Sequence, residues 1–244
     1  EVNFADAQAA AEAGQTSRAF ELATLVLRSE PDHAAARRVF GYEAVEGEWL
    51  TPYQAKQHAR GYRWDRRYGW LRPEDLPRYA SGERRVGRRW ITAEADARAR
   101  QSIDDGWTVR TDHFVVRTNH SLEAAAGLAA DLEGLFQVWR QAFSGYWLKD
   151  REVRALFAGG RSARKRSRPM QVDYHRDKAS YVEQLRRRQP RIAETLGIYF
   201  DNTRSAHFYH ADDPGVADQQ RATLYHEATH QLFAENGPGR RGAG

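Results

Sequence analysis

The residues most able to do chemistry are His226, Glu227 and His230, which form an HExxH motif late in a segment patterned as a helix, residues 218–235. In an α-helix of about 3.6 residues per turn, side chains four positions apart lie on one face. The two imidazoles can therefore converge on one metal ion, and imidazole nitrogen is a preferred ligand of zinc. Glu227 lies beside them, where it can take a proton from a water held at the metal. The motif predicts zinc bound by His226 and His230, with Glu227 as the general base.

The composition restricts how such a metal can be held. The chain of 244 residues contains no cysteine, so thiolate ligands and disulfides are excluded, and any zinc must use His, Asp, Glu or water. Hydrophobic content of 41% and charged content of 29% are typical of a globular protein. No stretch approaches the roughly 20 apolar residues of a membrane span. Cysteine usage does not identify the compartment; the cell envelope or a secreted location is favoured over the cytoplasm.

A basic surface is the other feature of the composition, with a net charge of +5 and a sequence pI near 9.5. Only four of the 38 basic residues are lysine, a bias more typical of genomic base composition than of phosphate recognition. The densest basic run comprises Arg161, Arg164, Lys165, Arg166 and Arg168. It could touch nucleic acid or an acidic surface, but no aromatic residue is interleaved to stack on bases. A solvated loop is the favoured interpretation, and no nucleic-acid partner is predicted.

Residues 1–45 have the pattern of short helices. Gly14 interrupts an Ala-rich segment, a second helix ends before Pro31, and a third is predicted to carry inward residues as far as Ala44. The spacing of Gly14, Ala19 and Pro31 resembles a tetratricopeptide unit. Any short helical hairpin would have the same pattern, so both interpretations stay open.

Residues 46–105 contain a repeat built on Trp49, Trp70 and Trp90, at spacings of 21 and 20 residues. Each Trp is predicted to lie on a short strand that is followed by a turn or short helix. Such a unit is too small to bury its own apolar face, so the three are expected to pack together. Exposed tryptophans could bind a glycan or peptide, but packing is the favoured role. Residues 1–105 are therefore expected to act as adaptor segments, open to a protein partner.

Residues 106–235 alternate between strand and helix patterns. Runs of β-branched and aromatic residues predict strands at 113–118, 153–157 and 170–175, and a hairpin with strands at 196–200 and 206–210. Helices are predicted after Ser121, which suits an N-cap, and over residues 178–188. The motif helix follows the hairpin directly.

The stretches at residues 113–123, 195–201 and 223–233 resemble a bacterial family of unknown function with gluzincin-like, peptidase-MA-type features. The Trp-repeat segment is similar to the region that precedes this domain in such proteins. The resemblance implies a zinc peptidase-like domain, with the hairpin forming part of the sheet beside the cleft.

The third zinc ligand is where the chain departs from that pattern. Gluzincins take it from a glutamate on a later helix, and only 14 residues follow His230 here. The one acid among them, Glu235, would lie about 140° around the helix from His230. The metzincin pattern fails as well, because Phe233 and Asn236 replace its glycine and its third histidine. We expect the chain to end before the helix that supplies the third ligand, and therefore to bind zinc weakly.

The hairpin before the motif holds further candidates. His207 and His210 could replace the missing ligand, although a structural or solvated role is favoured for both. Tyr209 or His210 is a candidate for stabilising the oxyanion of a tetrahedral intermediate.

These patterns predict an α+β chain. Its segments are a small helical hairpin (1–45), Trp-strand repeats (46–105), the N-terminal part of a zincin-like domain with a mixed sheet (106–235) and a flexible tail (236–244). The predicted function is that of a zinc-dependent hydrolase, a gluzincin-like metallopeptidase acting on peptides or proteins. The rival prediction is a non-enzymatic interaction scaffold with an inactive peptidase-like domain.

Overall fold

The computed structural model describes residues 3–160 and 168–236. Helices and strands are mixed and include one five-stranded mixed sheet, so the predicted α+β class is confirmed. Most of the predicted basic run and all but the first residue of the predicted tail lie outside the described residues. Within the described ranges, no helix is long and apolar enough to cross a membrane.

The regular elements follow one another along the whole chain. The helices are α1 (Phe4–Glu12), α2 (Thr16–Ser29), α3 (Ala34–Val39), α4 (Pro52–His58), α5 (Leu76–Ala80), α6 (Ala93–Ala99), α7 (Leu122–Ala142), α8 (Ser144–Trp147), α9 (Asp150–Phe157), α10 (Lys178–Leu185) and α11 (Pro214–Asn236). The strands are β1 (Glu43–Val45), β2 (Glu48–Leu50), β3 (Arg63–Asp65), β4 (Gly69–Leu71), β5 (Glu83–Val86), β6 (Arg89–Thr92), β7 (Trp107–Arg110), β8 (Phe114–Thr118), β9 (Met170–His175), β10 (Gly197–Phe200) and β11 (Ser205–Tyr209).

Packing divides the described residues into two compact units that interleave in sequence. The first unit contains residues 3–56, 136–160 and 236, and the second contains residues 57–135 and 168–235. The segments predicted from sequence are consecutive ranges of the chain. They do not coincide with these packing units, each of which combines separate stretches of the chain.

The first unit is a cluster of short helices around Phe20, which is fully buried. The strand predicted at residues 153–157 is wrong, because these residues form helix α9. The Glu152 carboxylate accepts a hydrogen bond from the Lys149 backbone N–H at 2.8 Å and so closes the first turn. Phe157 then packs edge-on against Phe20, with ring centroids 5.4 Å apart. A short apolar run fits a strand or a buried helix equally well, and this tertiary contact decides between them.

The third predicted helix also ends earlier than expected. Helix α3 ends at Val39, and Gly41 follows with a φ of 86°, a left-handed conformation that ends the helical hydrogen bonding. Ala44 was predicted on this helix but lies on strand β1, where it pairs with Trp49.

The Trp repeat consists of three β-hairpins, each followed by a helix. Trp49 lies on β2 before α4, Trp70 on β4 before a 3₁₀ turn and α5, and Trp90 on β6 before α6. The predicted strand-then-helix unit is thereby confirmed, while the partner strands β1, β3 and β5 were not predicted. All three Trp side chains are half-buried, and Trp70 packs against Trp64 of its own hairpin with ring centroids 5.4 Å apart.

The five-stranded sheet of the second unit has the order β10-β11-β9-β8-β7. The three central strands β11, β9 and β8 are parallel, and the edge strands β10 and β7 are antiparallel to their neighbours. The strands predicted at 113–118 and 170–175 and the predicted hairpin are confirmed, with ends that differ by one residue at most. Helix α7 begins as predicted, because the Ser121 hydroxyl accepts a hydrogen bond from the Ala124 N–H at 3.1 Å.

Gly197 marks a point of close approach in this sheet. A Cβ atom at Gly197 would lie 2.5 Å from Cδ1 of Phe208, which is buried on the paired strand. We expect Gly197→Ala to lower the free energy of unfolding by about 1–3 kcal/mol, because the Phe208 ring must shift within a packed core. Urea unfolding measures this change. Gly134→Ala is the matched control: apart from its chain neighbours and its own helix backbone, no atom of the described residues lies within 4 Å of the Cβ position. A mid-helix alanine should raise the free energy of unfolding by about 0.5–1 kcal/mol. Equal effects of the two variants would contradict the close approach.

Candidate metal centre

Helix α11 carries the HExxH motif and directly follows strand β11 of the sheet. It begins at Pro214, four residues before the predicted start. The Asp213 carboxylate caps it by accepting hydrogen bonds from the N–H groups of Gly215 and Val216 at 2.8 and 3.2 Å. The cap fixes where the helix starts, and therefore where along it the motif lies.

The buried side of α11 combines apolar residues with a polar one. Its buried apolar residues are Leu224, Ala228 and Leu232, whereas Ala222 is exposed. Gln231 is also fully buried, and its amide donates to the backbone carbonyls of Gln171 and Arg204, both at 3.2 Å. A pattern of apolar residues does not reveal an inward-facing glutamine.

The two motif histidines lie together on the exposed side of this helix. The Nε2 atoms of His226 and His230 are 3.0 Å apart, and the ring centroids are 4.5 Å apart. Two nitrogens bound to one tetrahedral zinc at about 2.05 Å would be separated by about 3.3 Å. The pair is therefore nearly preformed for a shared metal. In the absence of a metal, the same separation allows one ring to donate Nε2–H to the other.

Glu227 is half-buried beside the exposed histidines. Burial raises the pKa of Tyr181 to about 12, and the negative charge of Glu227 contributes to that rise. The carboxylate therefore lies within electrostatic reach of the Tyr181 hydroxyl, which is hydrogen-bonded to Thr195 just before strand β10.

Glu235 is held by the hairpin and does not join the histidines. Its side chain is 2% exposed, accepts a hydrogen bond from the Tyr199 hydroxyl at 2.9 Å, and forms an ion pair with Arg204. With both oxygens occupied, this carboxylate connects α11 to strand β10 and to the turn before β11.

The hairpin candidates also have other partners. His207 is buried, with its Nε2 atom 2.9 Å from the Ser205 hydroxyl. The Nδ1 atom of His210 is 3.0 Å from the Tyr174 hydroxyl, and Tyr209 is buried. Within residues 3–160 and 168–236, no three His, Asp or Glu side chains form a group that could hold a metal. The structure thus brings together His226 and His230, and it places the alternative ligands elsewhere.

A second imidazole pair was missed by the sequence analysis. His120 follows β8 and His210 follows β11, and the carboxyl ends of parallel strands lie at one edge of a sheet. Their ring centroids are 4.1 Å apart. Burial lowers the pKa of His120, and the neighbouring His210 lowers it further. The sequence did show a histidine after each of two predicted strands. These positions indicate that the two rings are close only if the strands are known to be parallel.

Comparison with protein-family models, with curated proteins and with solved structures finds no significant match to this chain.

Proposed function

We propose that this chain belongs to a zinc-dependent hydrolase of the gluzincin-like metallopeptidase type. The observation that carries the proposal is the exposed pair of imidazoles on α11, with Nε2 atoms 3.0 Å apart and a carboxylate residue, Glu227, between them in sequence. Histidines that served packing alone would be expected to face the core, whereas this pair faces outward.

The surrounding sheet supports the same proposal. Strand β10 is an edge strand and runs antiparallel to β11, which leads into the motif helix. An extended peptide can pair with the backbone of an edge strand and so be aligned beside a catalytic group. The bonds from Glu235 to Tyr199 and Arg204 connect the motif helix to this hairpin. A zincin-like arrangement, with the hairpin beside the cleft, accounts for these features together.

Each residue of the motif has a distinct task in this proposal. His226 and His230 would hold zinc through Nε2, which requires both rings to be neutral at that nitrogen. Zinc, when bound, supplies Lewis acidity that polarises the scissile carbonyl. Glu227 would accept the proton of the attacking water and pass it to the leaving amine. A catalytic zinc site normally has three protein ligands, so the proposal requires a third ligand from outside the described residues.

A second candidate function is a non-enzymatic scaffold with an inactive peptidase-like domain. The absence of a three-residue metal group from the described part of the chain favours it. Metal binding separates the two candidates, because a scaffold has no need of the histidine pair.

Zinc titration by calorimetry is the direct test. We expect about one zinc ion per chain, and we expect His226→Ala and His230→Ala each to weaken binding by more than about tenfold, because either change removes half of the described ligands. A chelator should remove the metal readily from the wild-type chain.

His210→Ala is the matched control, since His210 also belongs to an imidazole pair, with His120, and was an alternative ligand. It should leave zinc affinity unchanged. Equal zinc affinity of the wild type and both motif variants would rule out the proposed site.

A further inference from the structure

A row of polar side chains crosses the three parallel strands of the sheet. The register pairs Arg117 with Asp173 and Asp173 with His207, so the three lie side by side on β8, β9 and β11. Paired residues on neighbouring strands project to the same face. Asp173 and His207 are both buried. Burying such groups is costly unless they are paired, so the row needs an explanation.

Hydrogen bonds satisfy most, but not all, of the buried polar atoms in this row. Arg117 holds both oxygens of Asp173, with Nε–Oδ1 and Nη2–Oδ2 distances of 3.0 and 2.8 Å. The Nε2 atom of His207 is 2.9 Å from the Ser205 hydroxyl. Among the described residues, the Nδ1 atom of His207 has no hydrogen-bond partner, and a carboxylate oxygen of Asp173 is 3.5 Å away. One buried ring nitrogen is left over.

This row forms one wall of a cavity of about 400 Å³. Val115 and Leu185 contribute apolar surface, and Arg188 contributes a second guanidinium. Arg188 donates to the side-chain oxygens of Asn202 and Thr203, both at 3.0 Å, and both are neutral acceptors. The charges of Arg117 and Asp173 offset each other, so the positive charge of Arg188 remains uncompensated within the cavity.

We propose that this cavity binds a small molecule that carries an oxyanion, either a carboxylate or a phosphate, with Arg188 as its cationic contact and the His207 ring in the adjoining wall. A guanidinium binds either oxyanion through paired N–H donors. A cavity of about 400 Å³ is larger than a bare ion requires, and it lies within the size range of small-molecule sites. The apolar part of the molecule would lie against Val115 and Leu185.

The same residues have the connectivity of a nucleophilic triad, Asp173 to His207 to Ser205, but their chemistry favours binding. Arg117 occupies both oxygens of the carboxylate that would orient and support the imidazole. Burial, together with the charges of Arg188 and Arg117, holds the pKa of His207 at about 4, and Asp173 only partly offsets this. An imidazole with that pKa is a weak general base near neutral pH.

Butyrate and inorganic phosphate are suitable probes, with butyramide as the neutral analogue of butyrate. NMR of the full chain with labelled histidine rings can follow the His207 resonances during each titration. We expect butyrate or phosphate to shift these resonances saturably at millimolar concentration, and butyramide to have no effect. Saturation by butyrate alone identifies a carboxylate ligand, and saturation by phosphate alone identifies a phosphate ligand.

Arg188→Gln should weaken binding of the active probe by at least about tenfold. Arg188 is exposed, so the variant is expected to fold. Arg187→Gln removes the same charge from the adjacent exposed position, which does not line the cavity, and should leave the affinity unchanged. The proposal is overturned if neither anion shifts His207, if butyramide acts like butyrate, or if Arg188→Gln binds as the wild type does.

Discussion

Replacement of Glu227 by glutamine is expected to lower peptide hydrolysis by about 10²–10⁴-fold, while zinc binding stays unchanged. Glutamine keeps the shape of the side chain, but its amide cannot accept the proton of the attacking water. The two imidazoles, which hold the metal in the proposed site, are untouched by this change. Cleavage of a mixture of quenched fluorescent peptides by the full-length, zinc-loaded protein measures the loss.

Asp218→Asn is the matched control for this experiment. It removes one negative charge from the same helix at an exposed position outside the motif, and it should leave the cleavage rate unchanged. If the Glu227→Gln protein cleaves peptides at the wild-type rate, Glu227 is not the general base and the proposed mechanism is wrong.

Mild acid is expected to destabilise the second unit strongly, because it contains two buried histidines with low pKa values. Burial and the neighbouring His207 lower the pKa of His175 to about 4, and burial lowers that of His207 to about 4 as well. In the unfolded chain both rings titrate near 6.5. Between these values the unfolded state binds more protons, so stability is fully present above pH 6.5 and is lost progressively as the pH falls toward 4.

The size of this loss can be stated for a single pH. At about pH 5 each histidine should cost about 2 kcal/mol relative to neutral pH, or about 4 kcal/mol for both. Urea unfolding at about pH 7 and pH 5 measures the difference. A free energy of unfolding that is equal at the two pH values would show that these rings are not held neutral by burial.

His175→Phe isolates one of the two contributions. Within the described part of the chain, neither ring nitrogen of His175 has a hydrogen-bond partner, and the ring lies edge-on against Tyr181 with centroids 5.6 Å apart. Phenylalanine retains an aromatic ring there and cannot be protonated, so we expect neutral-pH stability to be maintained and the acid-induced loss to fall by about half.

Local geometry made much of the motif predictable from sequence. Histidines four positions apart must lie on one face of a helix, and the structure places their Nε2 atoms 3.0 Å apart. The strands at 114–118 and 170–175 follow from runs of β-branched and aromatic residues, and the final hairpin from the turn residues between its strands. These features depend on contacts between residues that are close in sequence.

Tertiary contacts decided the features that the sequence left ambiguous. Residues 153–157 form a helix because Phe157 packs on Phe20 in the first unit. The inward side of α11 includes Gln231, because the backbone carbonyls of Gln171 and Arg204 accept its amide protons. Both partners are distant in sequence, so neither local propensity nor apolar periodicity records them.

The geometry of the metal centre is predictable from the sequence, whereas that of the polar cavity depends on tertiary structure. The sequence alone determined that His226 and His230 share a helix face, because five consecutive residues of one helix define that geometry. Only the sheet determined that Arg117, Asp173 and His207 form one row, because strand order and register bring together residues from three separate strands. A shift of any one strand by a single residue would move the side chain that it contributes to the opposite face of the sheet, and the three residues would no longer form a row.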